Sequence, residues 1–246
     1  MGAAMFSGHE LFRRNGGTMP PGGFPTEEVW AMNTATRAEV DAAIAAMREE
    51  RRDRDSEARL RAQDREAARL AEACRAAGVP ERMLSVPIDA RRVGAMSKGR
   101  GLWVFGPVGT GKTWAACAAI KGWASRGLGR ARLVPVVAML ADLRDSIGSH
   151  GESSATAAYS QAPLLVLDDL DKEPPTPRTL SKLFEVIDAR YASMRPTVVT
   201  SQRGPSELGS FLGAQGDAAT AAAIVSRLRG SCDLAQTSGG DRRPHG

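Results

Sequence analysis

A glycine-rich octapeptide, GPVGTGKT at residues 106–113, constrains this chain more than any other stretch of its sequence. A short apolar run at 102–105 precedes it, and a predicted helix over 113–125 follows it. Glycines allow successive backbone N–H groups to converge on phosphate oxygens, and the start of a helix adds a field that favours an anion. A strand, this loop and a helix in that order predict a phosphate-binding P-loop on a parallel α/β core.

The residue types in the loop define a binding site for ATP and Mg²⁺. The Lys112 ammonium is expected to reach the β- and γ-phosphates and to assist catalysis, and the Thr113 hydroxyl is expected to ligate Mg²⁺. The residues predicted to contact the nucleotide are Gly106, Pro107, Val108, Gly109, Thr110, Gly111, Lys112, Thr113 and Trp114.

Two adjacent aspartates follow a fully apolar strand predicted at 164–167. Parallel strands end at the same edge of a sheet, so Asp168 and Asp169 should lie near the P-loop. Asp168 is predicted to hold Mg²⁺, directly or through water, and Asp169 to orient and deprotonate the attacking water. With the P-loop, this pair predicts hydrolysis of ATP to ADP and phosphate.

Composition divides the chain into three segments. Residues 1–34 are rich in Gly, Pro and Met and are predicted to be a disordered tail. Residues 35–78 are predicted to form a charged helix that ends at a Gly-then-Pro signal. Because its middle, REERRDRDSEAR at 48–59, is almost entirely charged, this helix is expected to project as a partner-docking arm or as a plain spacer.

The third segment, 79–246, alternates strands with helices, which predicts a doubly wound sheet. The predicted strands are 102–105, 132–137, 164–167, 197–200 and 232–236. The predicted helices are 113–125, 138–147, 178–193 and 217–230, and 148–161 is predicted to be a loop or weak helix.

Composition also limits the setting in which the chain acts. The formal net charge of +5 suits a nucleic-acid partner without demanding one. No apolar run reaches the roughly 18–20 residues of a membrane helix, and the N-terminus lacks an apolar signal-peptide core. Three cysteines without a CxxC pair indicate reduced thiols. A cytoplasmic protein without a membrane partner is therefore expected.

Several motifs recur in an order that resembles the AAA+ ATPases of the DnaC/IstB group. They are GVPERML, GPVGTGKTWAACA, LLVLDDLDKEPPT, FEVIDARYASMRPTVVTSQ, AAIVSRLRG and GGDRR. The group contains the bacterial replicative-helicase loader and the ATPase partner of certain transposases. The resemblance covers residues 79–243 and implies an α/β fold. That fold is an AAA+ P-loop NTPase core, a five-stranded parallel sheet flanked by helices with little or no lid, behind an N-terminal helical arm.

The resemblance assigns further roles at matching positions. Gln202 stands where the family usually has an asparagine sensor, so it retains an amide on a longer arm. Arg227, within Ser-Arg-Leu, matches the arginine finger, which acts on ATP bound by a neighbouring subunit and therefore implies self-association. A surface salt bridge is the alternative for Arg227. Arg243, or else Arg242, matches the second sensor, which faces the nucleotide.

The stretch MLADLRDSI at 139–147 falls where the family has an extra helix along a single-stranded DNA path. Arg144 and Ser146 are then expected to contact phosphates, with solvated surface as the alternative. Nearby positive charge is carried by Lys121, Arg126, Arg130 and Arg132. Tyr159 is the one aromatic residue in the loop 148–161 that could stack on a base, so binding without sequence preference is expected.

Two functions fit these motifs best. The leading prediction is a DnaC-like loader that binds single-stranded DNA and a replicative DNA helicase and hydrolyses ATP in an oligomer. The alternative is an IstB-like ATPase that assembles on DNA and assists a transposase. The Asp168–Asp169 pair disfavours a third class, small-metabolite kinases, and the departure at Gln202 leaves open a non-hydrolysing adaptor switched by ATP.

Overall fold

A computed structural model of the chain describes residues 27–88, 90–146, 152–172, 174–215 and 217–240. The described part of the chain divides into two units, which meet between Asp64 and Arg65. Helix α1 runs Glu27–Ala76 and begins eight residues before the predicted start at 35. Residues 27–34 contain no glycine or proline, and two glutamates open the helix, where acidic residues are favourable. The rest of the predicted tail, 1–26, lies outside the described residues.

The second unit alternates helices and strands as predicted. After a 3₁₀ turn at Glu81–Met83, the elements are α2 Ala90–Met96, β1 Gly101–Phe105, α3 Lys112–Ser125, β2 Ala131–Pro135, α4 Val136–Ser146, α5 Glu152–Ser160, β3 Leu164–Asp168, α6 Pro177–Ala192, β4 Thr197–Ser201, α7 Pro205–Leu212, α8 Ala218–Ser231 and β5 Cys232–Gln236. No helix in the described ranges is long and apolar enough to cross a bilayer.

The five strands form one parallel sheet in the order β2-β3-β4-β1-β5. Strand β4 lies between β3 and β1, with Leu167 opposite Val199 and Val104 opposite Thr200. The ends of β1, β3 and β4 therefore meet at one edge. This arrangement confirms the predicted α/β fold with a five-stranded parallel sheet.

Helices cover both faces of this sheet, which explains why its three central strands, β1, β3 and β4, are buried along almost their whole length. On β3, Leu164 and Val166 pack in a core with α2, α3 and the end of α1. Leu165 and Leu167 point the other way, into a core with α4 to α8. Alternate residues of one strand thus enter opposite cores.

The boundaries of two segments differ from the prediction. Strand β2 ends at Pro135 instead of 137, because proline offers no N–H to continue the ladder and Val136 already begins α4. The compact unit begins at Arg65, inside the helix that was predicted to end the arm at 78. Cys74 and Ala77 are buried there, and Leu133 of the edge strand β2 donates its N–H to the Ala77 carbonyl at 2.7 Å.

Candidate nucleotide site

The P-loop connects the end of β1 to the start of α3. Gly106, Gly109 and Gly111 have φ angles of 145°, 81° and 91°, a region that favours glycine. A Cβ at Gly106 would also overlap the carbonyl oxygen of Thr237, which follows β5. Thr237 supports the loop further, because its Oγ1 lies 2.7 Å from Oγ1 of the buried Thr110. The loop is therefore held in a wound conformation by its own glycines and by the neighbouring strand end.

Lys112 is buried and its ammonium lies inside this loop. Its Nζ donates to the carbonyl oxygens of Gly106 at 2.9 Å and Pro107 at 2.7 Å. A buried ammonium that has only backbone carbonyls as partners can exchange them for phosphate oxygens, which are stronger acceptors because they are charged. Val108 and Trp114 are exposed on the same segment.

Thr113, Asp168 and Thr200 form an oxygen-rich cluster beside the loop. Thr113 Oγ1 donates to both carboxylate oxygens of Asp168 at 3.2 Å. Thr200 Oγ1 donates to Asp168 Oδ1 at 2.6 Å and accepts from the backbone N–H of Asp169 at 2.8 Å. No role in the site was predicted for Thr200. Its closeness to Asp168 follows from the strand order, in which β4 lies beside β3.

The cluster fits a bound Mg²⁺ chemically. Burial is the main influence on Asp168 and raises the pKa of its carboxyl, with the Asp169 charge acting in the same direction. The hydroxyls of Thr200 and Thr113 and the Lys112 ammonium counteract part of that rise. Carboxylate and hydroxyl oxygens are ligands that Mg²⁺ accepts. Among the described residues, no three His, Cys, Asp or Glu side chains are grouped so that they could hold a metal ion by themselves. Mg²⁺ usually keeps several waters and binds through one or two carboxylates together with substrate phosphates.

Asp169 and Gln202 lie at the ends of β3 and β4, next to this cluster. Asp169 has a φ of 53°, a left-handed conformation that is uncommon for residues other than glycine and turns the chain sharply after β3. Gln202 is exposed, and its backbone N–H donates to the buried carboxylate of Asp171 at 3.0 Å. The adjacent strand ends thus bring both residues to the predicted edge. Their roles as catalytic base and sensor stay predictions.

Arg227 lies away from the P-loop, on α8. Its Nε donates to Asp188 Oδ1 of α6 at 2.6 Å, and its guanidinium carbon lies 5.1 Å from the centroid of the Phe184 ring. The structure therefore contains the surface ion pair that was the alternative for Arg227, and the arginine-finger role remains a prediction about an assembly. Arg242 and Arg243 lie outside the described residues.

The possible stacking of Tyr159 on a base needs correction. Tyr159 cannot stack on a base because it is 2% exposed and its hydroxyl donates to Asp142 at 2.6 Å. Lys121, one of the residues predicted to add positive charge nearby, is half-buried, and its Nζ donates to the carbonyls of Leu84 and Val86.

The remaining residues of the predicted DNA surface divide into two groups. Arg132 covers the Tyr159 ring at 4.0 Å, and the Ser146 hydroxyl donates to the Leu143 carbonyl. Arg126, Arg130 and Arg144 are exposed, with Arg144 donating to Asp145 at 3.3 Å. Exposed positive charge is therefore present on this surface without an exposed aromatic partner among these residues.

Replacing Lys112 by alanine is expected to weaken ATP binding about 10- to 100-fold, because the β- and γ-phosphates lose their charge-assisted donor. Titration of a fluorescent ATP analogue measures the change. Lys98→Ala removes an exposed lysine outside the loop and provides the control. Equal affinity of the Lys112 and Lys98 variants would contradict the phosphate-binding role.

Comparison with known proteins identifies the family. A family model for IstB-like ATP-binding proteins matches residues 33–245. An ATP-binding protein in an insertion sequence of Mycobacterium tuberculosis is 31% identical over 111 residues, which span 45% of this chain and 44% of that relative. The match thus covers less than half the length of the relative.

Solved structures show the same fold at lower identity. The DnaC helicase loader matches with a TM-score of 0.54 and 19% identity, over 65% of this chain and 100% of that one. DnaI matches with a TM-score of 0.56 and 23% identity, over 67% of this chain and 94% of that one. At these identities the likeness shows a shared fold and nothing further. Because the family model spans most of the sequence, the chain belongs to the IstB-like ATP-binding protein family.

Proposed function

We propose that this chain is a Mg²⁺-dependent ATPase that assembles on DNA and assists a transposase. The observation that carries the ATPase activity is the convergence of Lys112, Thr113, Asp168 and Thr200 at one sheet edge. The transposase partner is supported by family membership and by the relative that belongs to an insertion sequence. An IstB-like ATPase that assists a transposase, the second of the two functions that fit the motifs, is therefore the first choice.

Hydrolysis would use the residues at the ends of three parallel strands. A bound Mg²⁺ would neutralise negative charge on the phosphate oxygens. Thr113 and Asp168 are the side chains that would hold it. Lys112 would exchange the carbonyls of the loop for the β- and γ-phosphates. Asp169 would accept a proton from the attacking water, and Gln202 would hydrogen-bond near the γ-phosphate. The site then needs one more positive charge, for which Arg227 of a second copy is the candidate.

The DNA partner would be held mainly by charge. The net charge is +5. The exposed Arg144 lies on α4, the helix that the family resemblance places along a DNA path, and the exposed Arg130 directly precedes β2. Because Tyr159 is buried, stacking on this surface has no support, and contacts to phosphates should dominate. Binding should therefore weaken steeply with salt and show little preference for sequence.

Loading of a replicative helicase is the second candidate. The match to the DnaC helicase loader covers the whole of that chain, but at 19% identity it supports the fold and not the partner. The middle of helix α1, residues 41–69, is exposed and rich in charge, and it would be the docking arm in either role. The two candidates differ in the protein that α1 would recognise, so an experiment with both partners separates them.

The proposed function predicts ATP-dependent recruitment of a transposase to DNA. The transposase encoded beside this chain's gene and the replicative helicase of the same host are each incubated with the protein on immobilised DNA, with ATP or ADP. Retention of the transposase with ATP is expected, with loss of retention for Lys112→Ala. We expect a retained fraction at least about tenfold lower at 200 mM than at 50 mM salt, as for several phosphate contacts.

Two results would count against this assignment. If only the helicase is retained, and its retention depends on ATP and on α1, the result would favour helicase loading over transposase recruitment. ATP-dependent retention without phosphate release in the presence of DNA would indicate a non-hydrolysing adaptor.

A further inference from the structure

A buried carboxylate lies three residues beyond the metal-binding position and outside the predicted site. The side chain of Asp171 is 1% exposed, and none of the motif roles implied by the family resemblance uses it. An unpaired buried carboxylate is strongly disfavoured, so the groups that surround Asp171 indicate what its charge is for.

Asp171 is satisfied by the segment that follows the neighbouring strand β4. Its carboxylate accepts the backbone N–H of Gln202 at 3.0 Å on both oxygens and that of Arg203 at 2.8 Å. The Arg203 guanidinium lies 3.2 Å from the same carboxylate and 4.2 Å above the ring of Phe211. The Asp171 side chain therefore fixes the backbone N–H groups of two successive residues after β4, Gln202 and Arg203. The guanidinium of Arg203 also neutralises the charge of Asp171.

Two further hydrogen bonds join the residues that follow β3 to the end of β4. The Leu170 N–H donates to the Thr200 carbonyl at 2.8 Å, and the Asp169 N–H donates to the Thr200 hydroxyl at 2.8 Å. With Asp171, these bonds join the turn that carries Asp168 and Asp169 to the end of β4. The backbone of Gln202 cannot move relative to the metal-binding strand without breaking a charge-assisted hydrogen bond in a buried position.

We propose that Asp171 is a positioning residue that sets the place of the Gln202 amide relative to Asp168 and Asp169. This inference rests on the proposed ATPase function and extends it. Glutamine has one more methylene than the asparagine of the family, so its amide reaches further and requires a fixed backbone to be useful. Asp171 supplies that fixed point, and it acts on turnover through Gln202 without touching the nucleotide.

The test is a double-mutant cycle between Asp171→Asn and Gln202→Ala. Asparagine keeps the shape of Asp171 but removes its charge, so the bonds from the Gln202 and Arg203 N–H groups are no longer charge-assisted. Its NH₂ group also takes the place of one of the two oxygens that accept the Gln202 N–H. We expect kcat to fall about 10- to 100-fold, as for a catalytic group displaced by about 1 Å. The KM for ATP should stay within about threefold, because the P-loop contacts remain.

Asp171→Asn is measured in the wild-type protein and in the Gln202→Ala protein, which distinguishes a positioning role from a general loss of stability. In the Gln202→Ala protein, the backbone bond to Asp171 is retained but the amide is gone, so adding Asp171→Asn should lower kcat by less than about twofold. The Tm should fall equally in both backgrounds. Asp233→Asn, which loses a surface partner of Arg100, provides the control with unchanged kcat.

Two outcomes overturn the inference in distinguishable ways. Equal, additive losses of kcat in the two backgrounds would show that Asp171 acts on turnover independently of Gln202. Absence of turnover by the unmodified protein, assembled on DNA with Mg²⁺ and ATP, would remove the proposed ATPase function and the positioning role with it.

Discussion

Replacing Arg227 by alanine is expected to leave ATP binding intact and to slow hydrolysis by the assembled protein about 10³-fold or more. The P-loop contacts to ATP come from one copy of the chain, whereas the finger would come from its neighbour. In the structure, Asp188 holds the Nε side of the Arg227 guanidinium at 2.6 Å, and the side chain is 34% exposed. The two terminal nitrogens are therefore the groups that a neighbouring phosphate would meet.

The same variant should fold normally, because an ion pair at this exposure contributes at most about 1 kcal/mol. Arg229→Ala is the matched control. Arg229 is exposed on the same helix, two residues and about 200° away, so it removes the same charge from another face. Steady-state phosphate release and ATP titration, measured for both variants at equal protein concentration on DNA, separate turnover from binding.

Mixing two inactive variants tests whether the arginine acts between copies. Arg227→Ala retains the P-loop, and Lys112→Ala retains the finger, so a mixed assembly contains some sites with both groups. Turnover of the mixture should exceed that of either variant alone. Activity no higher than the sum of the two separate proteins would contradict a role in trans, and wild-type turnover by Arg227→Ala would exclude any catalytic role.

The parts of the site that the sequence predicted are those whose chemistry lies within a few consecutive residues. The P-loop is one octapeptide, and Asp168 follows an apolar strand whose character alone indicates burial. The spatial order of the strands, in contrast, is not contained in any short run of residues. Thr200, Thr237 and Asp171 gain their contacts because β4 lies between β3 and β1 and because β5 lies beside β1. No local pattern encodes those neighbours.

Side chains whose burial contradicts their residue type were missed for a related reason. Tyr159 sits in a polar stretch that was predicted to be a loop or weak helix. Helix α5 forms there and buries Tyr159, and the exposed Asp142 accepts its hydroxyl. Arg190 belongs to a helix whose pattern gives it no special place, although it is 1% exposed. In both cases some partners belong to another segment of the chain, so the sequence showed a polar residue without showing what would satisfy it.

Arg190→Met is expected to lower the free energy of unfolding by about 3–5 kcal/mol, because several buried oxygens lose their donor at a cost of about 1–3 kcal/mol each. The guanidinium donates to the carbonyls of Ser160, Ala162 and Pro196 and to the Thr197 hydroxyl, at 3.2, 2.7, 2.6 and 2.9 Å. These acceptors lie on the end of α5, the turn into β3 and the start of β4. One side chain thus joins the connection between α5 and β3 to the start of β4.

Arg195→Met gives the matched comparison for Arg190. Arg195 is also an arginine beside the start of β4, but it is partly exposed and donates to the Gln161 carbonyl at 2.6 Å. Water can replace that bond, so its loss should cost less than about 1 kcal/mol. Urea denaturation followed by the fluorescence of the buried Trp103 and Trp123 measures both variants. Similar midpoints for the two would mean that the acceptors of Arg190 find water or new donors, and that α5 and β4 are held together by apolar packing instead.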